Sequence, residues 1–214
     1  MIEVIAEISG NHGGSFGNAL ELILCAKDAG ADAVKFQAFD PERLAARRGH
    51  SSDVLDLAAT NFGATPLIDL YRRVHTPQEW FPELITHCKY VDIAWFSSVF
   101  DPLDVAFLET LDCPRYKISA FEMLDWDIIK AVRETGKPIV MSVRPRAGVT
   151  ILQATDYDGH TVPLGLSAHG PITPLAGTPM VEYHLKLPGV ETPDSEFSLS
   201  PEEMKRRIAE IRNR

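Results

Sequence analysis

His169 and His184 each close an apolar run, in Gly165-Leu166-Ser167-Ala168-His169 and in Val181-Glu182-Tyr183-His184. A histidine so placed either satisfies its ring nitrogens on neighbouring groups or offers one to a metal. Two of them 15 positions apart on neighbouring strands could converge on one ion, and imidazole suits Mn, Fe, Co, Zn and Ni alike. Lys35 and Lys117 stand inside apolar stretches, where an unpaired ammonium is costly. Two readings are open for them. Each lysine is paired with a buried carboxylate such as Glu7 or Glu122, or the two ammonium groups, with Ser98, Ser119 and Ser142, surround a substrate carrying phosphate and carboxylate. Glu7 and Glu122 are correspondingly counter-ions or acid–base groups. His12, in Gly10-Asn11-His12-Gly13-Gly14, is either a loop histidine without a role or a substrate contact. The glycine spacing there matches neither a dinucleotide fold nor a P-loop, which excludes a nucleotide reading.

Elements that could position these groups follow from the apolar pattern. Ile2 to Ile8 reads as a buried strand running into a glycine loop. Asn18 and Glu21 suggest a capping box, Leu20, Ile23, Leu24 and Lys27 continue at helical spacing, and Gly30 stops the helix. Ala33 to Gln37 is the next strand, completing a parallel crossover unit. The order repeats through a strand at 92–96, a helix at 102–111, a strand at 116–119, a helix capped by Asp125, and a strand at 139–142. Apolar segments at 149–152, 162–166 and 180–185 follow, and Ser200-Pro201-Glu202-Glu203 opens a last helix on Met204, Ile208 and Ile211. Residues 41–75 are expected to be a long loop plus a helix, placed over the mouth as lids often are.

Eight candidate strands, with His12, Lys35, Gln37, Ser98, Lys117, Ser142, His169 and His184 at or just past strand ends, indicate the α/β class. The fold expected is a compact (β/α)8 TIM barrel with its site at the C-terminal face. One or two helices should be missing or shortened in the second half. Between Ser142 and Val149 there is no room for a helix, and Pro171, Pro174 and Pro179 leave room for a short one at most.

The chain's 214 residues suit a single domain, 1–214. A net charge of -9 gives no footprint for nucleic acid or an anionic membrane. Cys25, Cys88 and Cys113 are irregularly spaced and read as reduced thiols of a cytoplasmic protein. The N-terminus lacks the features of a signal peptide, and no apolar run approaches the ~18 residues of a membrane span.

The segments IAEISGNHGG, GADAVKFQAF, YKISAFE, GKPIVMS, GLSAH, VEYH and PDSEFSLSPEE occur in the order found in N-acetylneuraminate (sialic acid) synthases, and the chain resembles that family over nearly its whole length. The resemblance implies a transferase that condenses phosphoenolpyruvate with an open-chain amino-sugar aldehyde, forming a 2-keto acid sugar with carbon–oxygen cleavage. It implies that His169 and His184 bind a divalent metal, usually Mn2+, acting as a Lewis acid. Lys35, Gln37, Ser98, Lys117 and Ser142 would hold phosphoenolpyruvate. Glu7 matches a glutamate with a proton-transfer or orienting role, Asp194 an aspartate near metal and acceptor, and Tyr157 an acceptor-side tyrosine.

Departures from the family fall mainly on the acceptor side. Ala168 stands where GLSDH has aspartate, Tyr183 where EKH has lysine, and Ser195 where PDH has histidine. Ser119-Ala120 inverts the usual order of small residues, and Val143-Arg144-Pro145 replaces Thr-Gly-Met, bringing Arg144 beside the expected phosphate. The family generally carries a C-terminal antifreeze-like domain through which it forms swapped dimers. The sequence stops at the last barrel helix, which closes that route and leaves a homodimer through barrel helices as one option open to it. The expectation is a phosphoenolpyruvate-dependent synthase with a different, smaller or nucleoside-linked acceptor. Alternatives are a metal-dependent aldolase, lyase or hydrolase on a phosphorylated or carboxylated substrate, and a non-catalytic binding protein keeping a decayed site.

Overall fold

The computed structural model describes residues 2–49, 54–57, 63–143, 150–155, 161–174 and 177–213. Eight strands close a barrel: β1 (Glu3–Glu7), β2 (Ala33–Ala38), β5 (Ala94–Val99), β6 (Tyr116–Ile118), β7 (Ile139–Val143), β8 (Thr150–Thr155), β9 (Thr161–Ala168) and β10 (Met180–His184). The order around the barrel is β1-β10-β9-β8-β7-β6-β5-β2. Seven strands run parallel, while β8 is antiparallel to both β7 and β9. Chain length explains the reversal. A parallel return needs a crossover of roughly a dozen residues or more, and neither the stretch from Val143 to Thr150 nor that from Thr155 to Thr161 supplies it. The missing helices of the second half were expected, but the change of strand direction was not.

Helices α1 (Phe16–Ala29), α4 (Phe81–Tyr90), α5 (Pro102–Glu109), α6 (Trp126–Glu134) and α7 (Pro201–Arg212) belong to the βα repeat. The cap of α1 is Ser15, whose Oγ accepts from the Asn18 amide at 3.3 Å, one turn before the expected Asn18–Glu21 box. Gly30 ends that helix at φ 90°, a conformation cheap only for glycine. Asp125 caps α6, and Ser200 with Glu203 forms the capping box of α7, as expected. The strand expected at 92–96 is shifted. Asp92 turns out of α4 with φ 55°, so β5 starts at Ala94 and carries Ser97 and Ser98 inside it. The described residues within 41–75 form α2 (Pro41–Arg48), strands β3 (Val54–Leu57) and β4 (Gly63–Pro66), paired antiparallel, and α3 (Leu67–Val74). Phe39, Leu44, Ala45, Tyr71 and Phe100 form a small core that seats α2 and α3.

Strand side chains alternate between two cores, as a closed sheet requires. Val4, Ala6, Val34, Phe36, Trp95, Ile118, Val181 and Tyr183 join the outer core with the helices. Ile5, Ala33, Phe96, Val140 and Met180 form a separate cluster inside the barrel. Two positions further along the same strands stand Glu7, Lys35, Ser98, Ser142 and Glu182, all 3% exposed or less. The barrel floor is apolar and the layer above it polar. At the floor the Arg115 guanidinium lies 4.0 Å from the Phe96 ring centroid and pairs with Glu3.

Candidate active site at the barrel mouth

Register decides which side chains share a level. Glu7 pairs with Lys35 on one side and with His184 on the other, Gln37 with Ser98, and Ser98 with Lys117. These groups line a cavity of about 360 Å³ at the C-terminal ends of the parallel strands, with Ser119, Ser142, His169 and Asp194 also on its wall. Ten of the expected site residues therefore converge on one space. His12 and Glu122 do not.

The two lysines carry partners. Lys35 Nζ contacts Glu7, donates to Ser98 Oγ at 3.1 Å and lies 3.9 Å from Glu182 Oε2. Lys117 Nζ is bidentate on Glu182, at 2.6 Å and 2.9 Å. Ser167 Oγ donates to the same carboxylate at 3.1 Å. Glu7 was one expected partner and is confirmed for Lys35, but Lys117 takes Glu182, which the sequence reading passed over. The missed signal was alternation: counting by two from Met180 puts Glu182 on the face that His184 shares.

Burial alone would raise the Glu182 pKa, but Lys117, Lys35 and His184 outweigh it and hold the carboxyl well below its usual range. Burial, with help from Lys117, brings Lys35 down to about 7 against the opposing pull of Glu182 and Asp194.

Glu122 faces away from the cavity. Its Oε1 accepts from Arg48 Nε at 2.9 Å and also from Arg48 Nη2, while Ser119 Oγ bonds Oε2. Arg48 itself lines the cavity and lies within 5.1–5.9 Å of the ring centroids of Tyr71, Phe100 and Phe121. It is a second residue that sequence reasoning missed, because it closes a helix whose pattern gave no hint of the mouth. His12 is buried behind the glycine loop, with Nε2 3.3 Å from Thr76 Oγ1, Nδ1 accepting from the Gly14 amide at 3.0 Å, and its ring against Trp80. It is not among the residues that line the cavity. Burial, then the charge of His75, lowers its pKa to about 4. Arg144 and Tyr157 lie outside the described residues.

Across the cavity from the lysines, the His169 and His184 rings are perpendicular with centroids 5.3 Å apart. Phe197 stacks on His169 at 4.6 Å and meets His184 edge-on at 4.9 Å. Asp194 Oδ2 is 3.1 Å from His184 Nδ1, yet off the line a ring N–H bond needs, and that buried nitrogen has no hydrogen-bond partner. Among the described residues no group of three or more His, Cys, Asp and Glu closes around a common point. An orphaned buried imidazole nitrogen beside a second imidazole fits a two-histidine metal face with its remaining positions open to water or substrate. Burial first, then His184, lowers the pKa of His169, which favours its metal-binding neutral form.

The NeuB family profile matches residues 22–156, more than half of the chain. The chain belongs to the NeuB family. It is 35% identical to the pseudaminic acid synthase of Helicobacter pylori over 140 residues, 65% of this chain and 41% of that protein. With the pseudaminic acid synthase of Campylobacter jejuni it shares 29% identity over 252 aligned positions, 98% of this chain and 72% of the relative. An alignment longer than the 214-residue chain means that this relative carries extra residues inside the shared stretch. The crystal structure of N-acetylneuraminic acid (sialic acid) synthetase from Leptospira borgpetersenii superposes with a TM-score of 0.78 at 20% identity, covering 99% of this chain and 83% of that one. At that identity the likeness establishes the fold. No described helix is long and apolar enough to cross a membrane.

Proposed function

We propose that this barrel condenses phosphoenolpyruvate with the open-chain aldehyde of an amino-sugar-like acceptor to give a 2-keto acid. The observation that carries the reading is the cavity itself: Lys35 and Lys117 with Gln37, Ser98 and Ser142 on one wall, and His169 with His184 on the other. The first wall offers the charged and hydroxyl donors that a phosphate and a carboxylate require. The second offers two imidazoles, which would hold a divalent metal, Mn2+ by the family resemblance. When bound, such an ion supplies Lewis-acid polarisation of the acceptor's carbonyl oxygen.

Binding the two reactants between these walls sets C3 of phosphoenolpyruvate against the aldehyde carbon, which is the positional part of the rate gain. A carbon–carbon bond forms there and the former aldehyde oxygen takes up a proton. Water adds at C2, the C2–O bond to phosphate breaks, and phosphate leaves as the 2-keto group forms. Lys35 and Lys117 would meet the charge of the departing phosphate, and Glu7, against Lys35 on the cavity wall, is placed to take or give a proton. Asp194, beside His184, would stand on the acceptor side by the family resemblance. Names of the related proteins, synthases of pseudaminic and sialic acids, support a nonulosonic-acid type of product.

Purified protein with Mn2+, phosphoenolpyruvate and a panel of aldehydes and amino sugars tests the proposal by phosphate release and product mass. A product heavier than its acceptor by the intact pyruvyl unit supports it. Phosphate without a joined product favours hydrolysis, and neither release nor phosphoenolpyruvate binding overturns it.

A further inference from the structure

Between His184 and Leu199 the chain has no helix or strand of its own, yet it delivers two side chains to the imidazole pair. Asp194 lies 3.1 Å from His184 Nδ1, and Phe197 stacks on His169 with rings 18° from parallel. An irregular segment holds such positions only if its polar groups are satisfied from outside. Asn11, from the opposite end of the chain, does this. It is fully buried, its Nδ2 donates to the Leu185 carbonyl at 2.8 Å and to Ser198 Oγ at 3.0 Å, and its Oδ1 accepts from Thr192 Oγ1 at 2.6 Å. One amide therefore grips the start, the middle and the end of the segment.

The grip is relayed to the site. Ser198 Oγ, held by Asn11, donates to the Asp194 carbonyl at 2.6 Å, and the Ser198 amide donates to the same oxygen at 3.1 Å. Thr192, held by Asn11, donates its amide to Ser195 Oγ at 2.8 Å and accepts from the Ser195 amide at 3.0 Å. Ser195 stands where the family's Pro-Asp-His motif has histidine, so in this chain the residue after Asp194 serves the network and not the cavity.

We propose that Asn11 is a positioning residue for the reacting centre, fixing Asp194 against His184 and Phe197 against His169 through Thr192 and Ser198. The proposal rests on the reading of the two histidines as part of the active site. Asn11 touches neither histidine; it acts through the segment it holds. Groups that bond a metal-binding histidine directly change metal affinity by about 10–100-fold when removed, and Asn11 acts one contact further out, through the segment that carries Asp194.

The test that needs neither metal nor substrate is the histidine side-chain 15N spectrum of the full chain, with the His184 signal assigned through His184→Gln. Asp194→Ala should shift the His184 Nδ1 resonance, and Asn11→Ala should shift it in the same direction while leaving His87, on α4, unchanged. Ser198→Ala removes one hydroxyl from the relay and gives the same result if Asn11→Ala does not fold. A His184 resonance that moves in Asp194→Ala but not in Asn11→Ala or Ser198→Ala overturns the proposal, as does one that ignores Asp194→Ala. With active protein, both relay variants should raise the Mn2+ concentration for half activation by up to about tenfold, while the KM for phosphoenolpyruvate stays within about twofold. An equal change in both constants counts against positioning. An inactive wild type counts against the proposed reaction and leaves the spectrum to decide the role of Asn11.

Discussion

Glu182 on β10 meets Lys117 on β6 at 2.6 Å across the barrel interior, from strands separated around the wall by β9, β8 and β7. Both side chains are almost wholly buried. Removing one member of such a pair leaves an uncompensated charge, and the usual cost is about 3–5 kcal/mol. Lys117→Met and Glu182→Leu, each alone, should lower unfolding stability by that order in chemical denaturation. The double variant should recover much of the loss. Additive losses in the double variant would show that the pair does not hold the interior together.

His12 supplies a pH prediction. Its pKa is lowered from 6.5 to about 4, first by burial and then by His75. Between those values the unfolded chain binds more protons than the folded one, so stability rises with pH across that window and the contribution is complete above 6.5. Denaturation midpoints measured from pH 4 to 7 should show this rise in the wild type and a flatter profile in His12→Gln. Equal slopes would mean that His12 is not buried in its neutral form.

Arg48 gives a third. Its guanidinium lines the cavity between three aromatic rings and is fixed by Glu122 and Tyr71. Bonds to a charged group contribute about 1.5–3 kcal/mol, so Arg48→Ala should weaken substrate binding on the order of tenfold to a hundredfold. Arg48→Lys should not restore it, because an ammonium cannot bond Glu122 and Tyr71 through a planar fork. Initial rates against each substrate separate the KM effect from kcat. Full rescue by lysine would reduce Arg48 to a point charge.

Ser98 provides the mildest case. Its Oγ accepts from Lys35 at 3.1 Å within the cavity. Ser98→Ala should fold normally and raise the KM for phosphoenolpyruvate about tenfold, in line with a single charge-assisted bond. An unchanged KM would remove Ser98 from the phosphate wall.

The barrel was legible because its strands are short apolar runs that end in polar residues, and because glycines and capping residues mark the helices between them. Direction was not legible. The apolar segment 149–152 carries no sign of which way it runs, and only the shortness of the two connections around β8 forces that strand to reverse. The site was legible where a polar residue interrupts an apolar run, as at Lys35 and Lys117. Glu182 was less legible than the histidine two positions on, although strand alternation puts both on one face. Arg48 reaches the mouth only because the core around Phe39, Tyr71 and Phe100 seats α2 there, a tertiary fact with no local signature. Glu122 and His12 had plausible residue types, but their sequence neighbours carry no sign that Arg48 and Thr76 bond them away from the cavity wall.

The most direct test of the proposed condensation uses phosphoenolpyruvate labelled with 18O at the oxygen bridging C2 and phosphorus, incubated with the protein, Mn2+ and an accepted aldehyde. Cleavage of the C2–O bond sends the label into inorganic phosphate, together with a product containing the whole pyruvyl unit, and that is the result expected. Label retained on the carbon skeleton, with unlabelled phosphate released, would mean phosphorus–oxygen cleavage and would contradict the account.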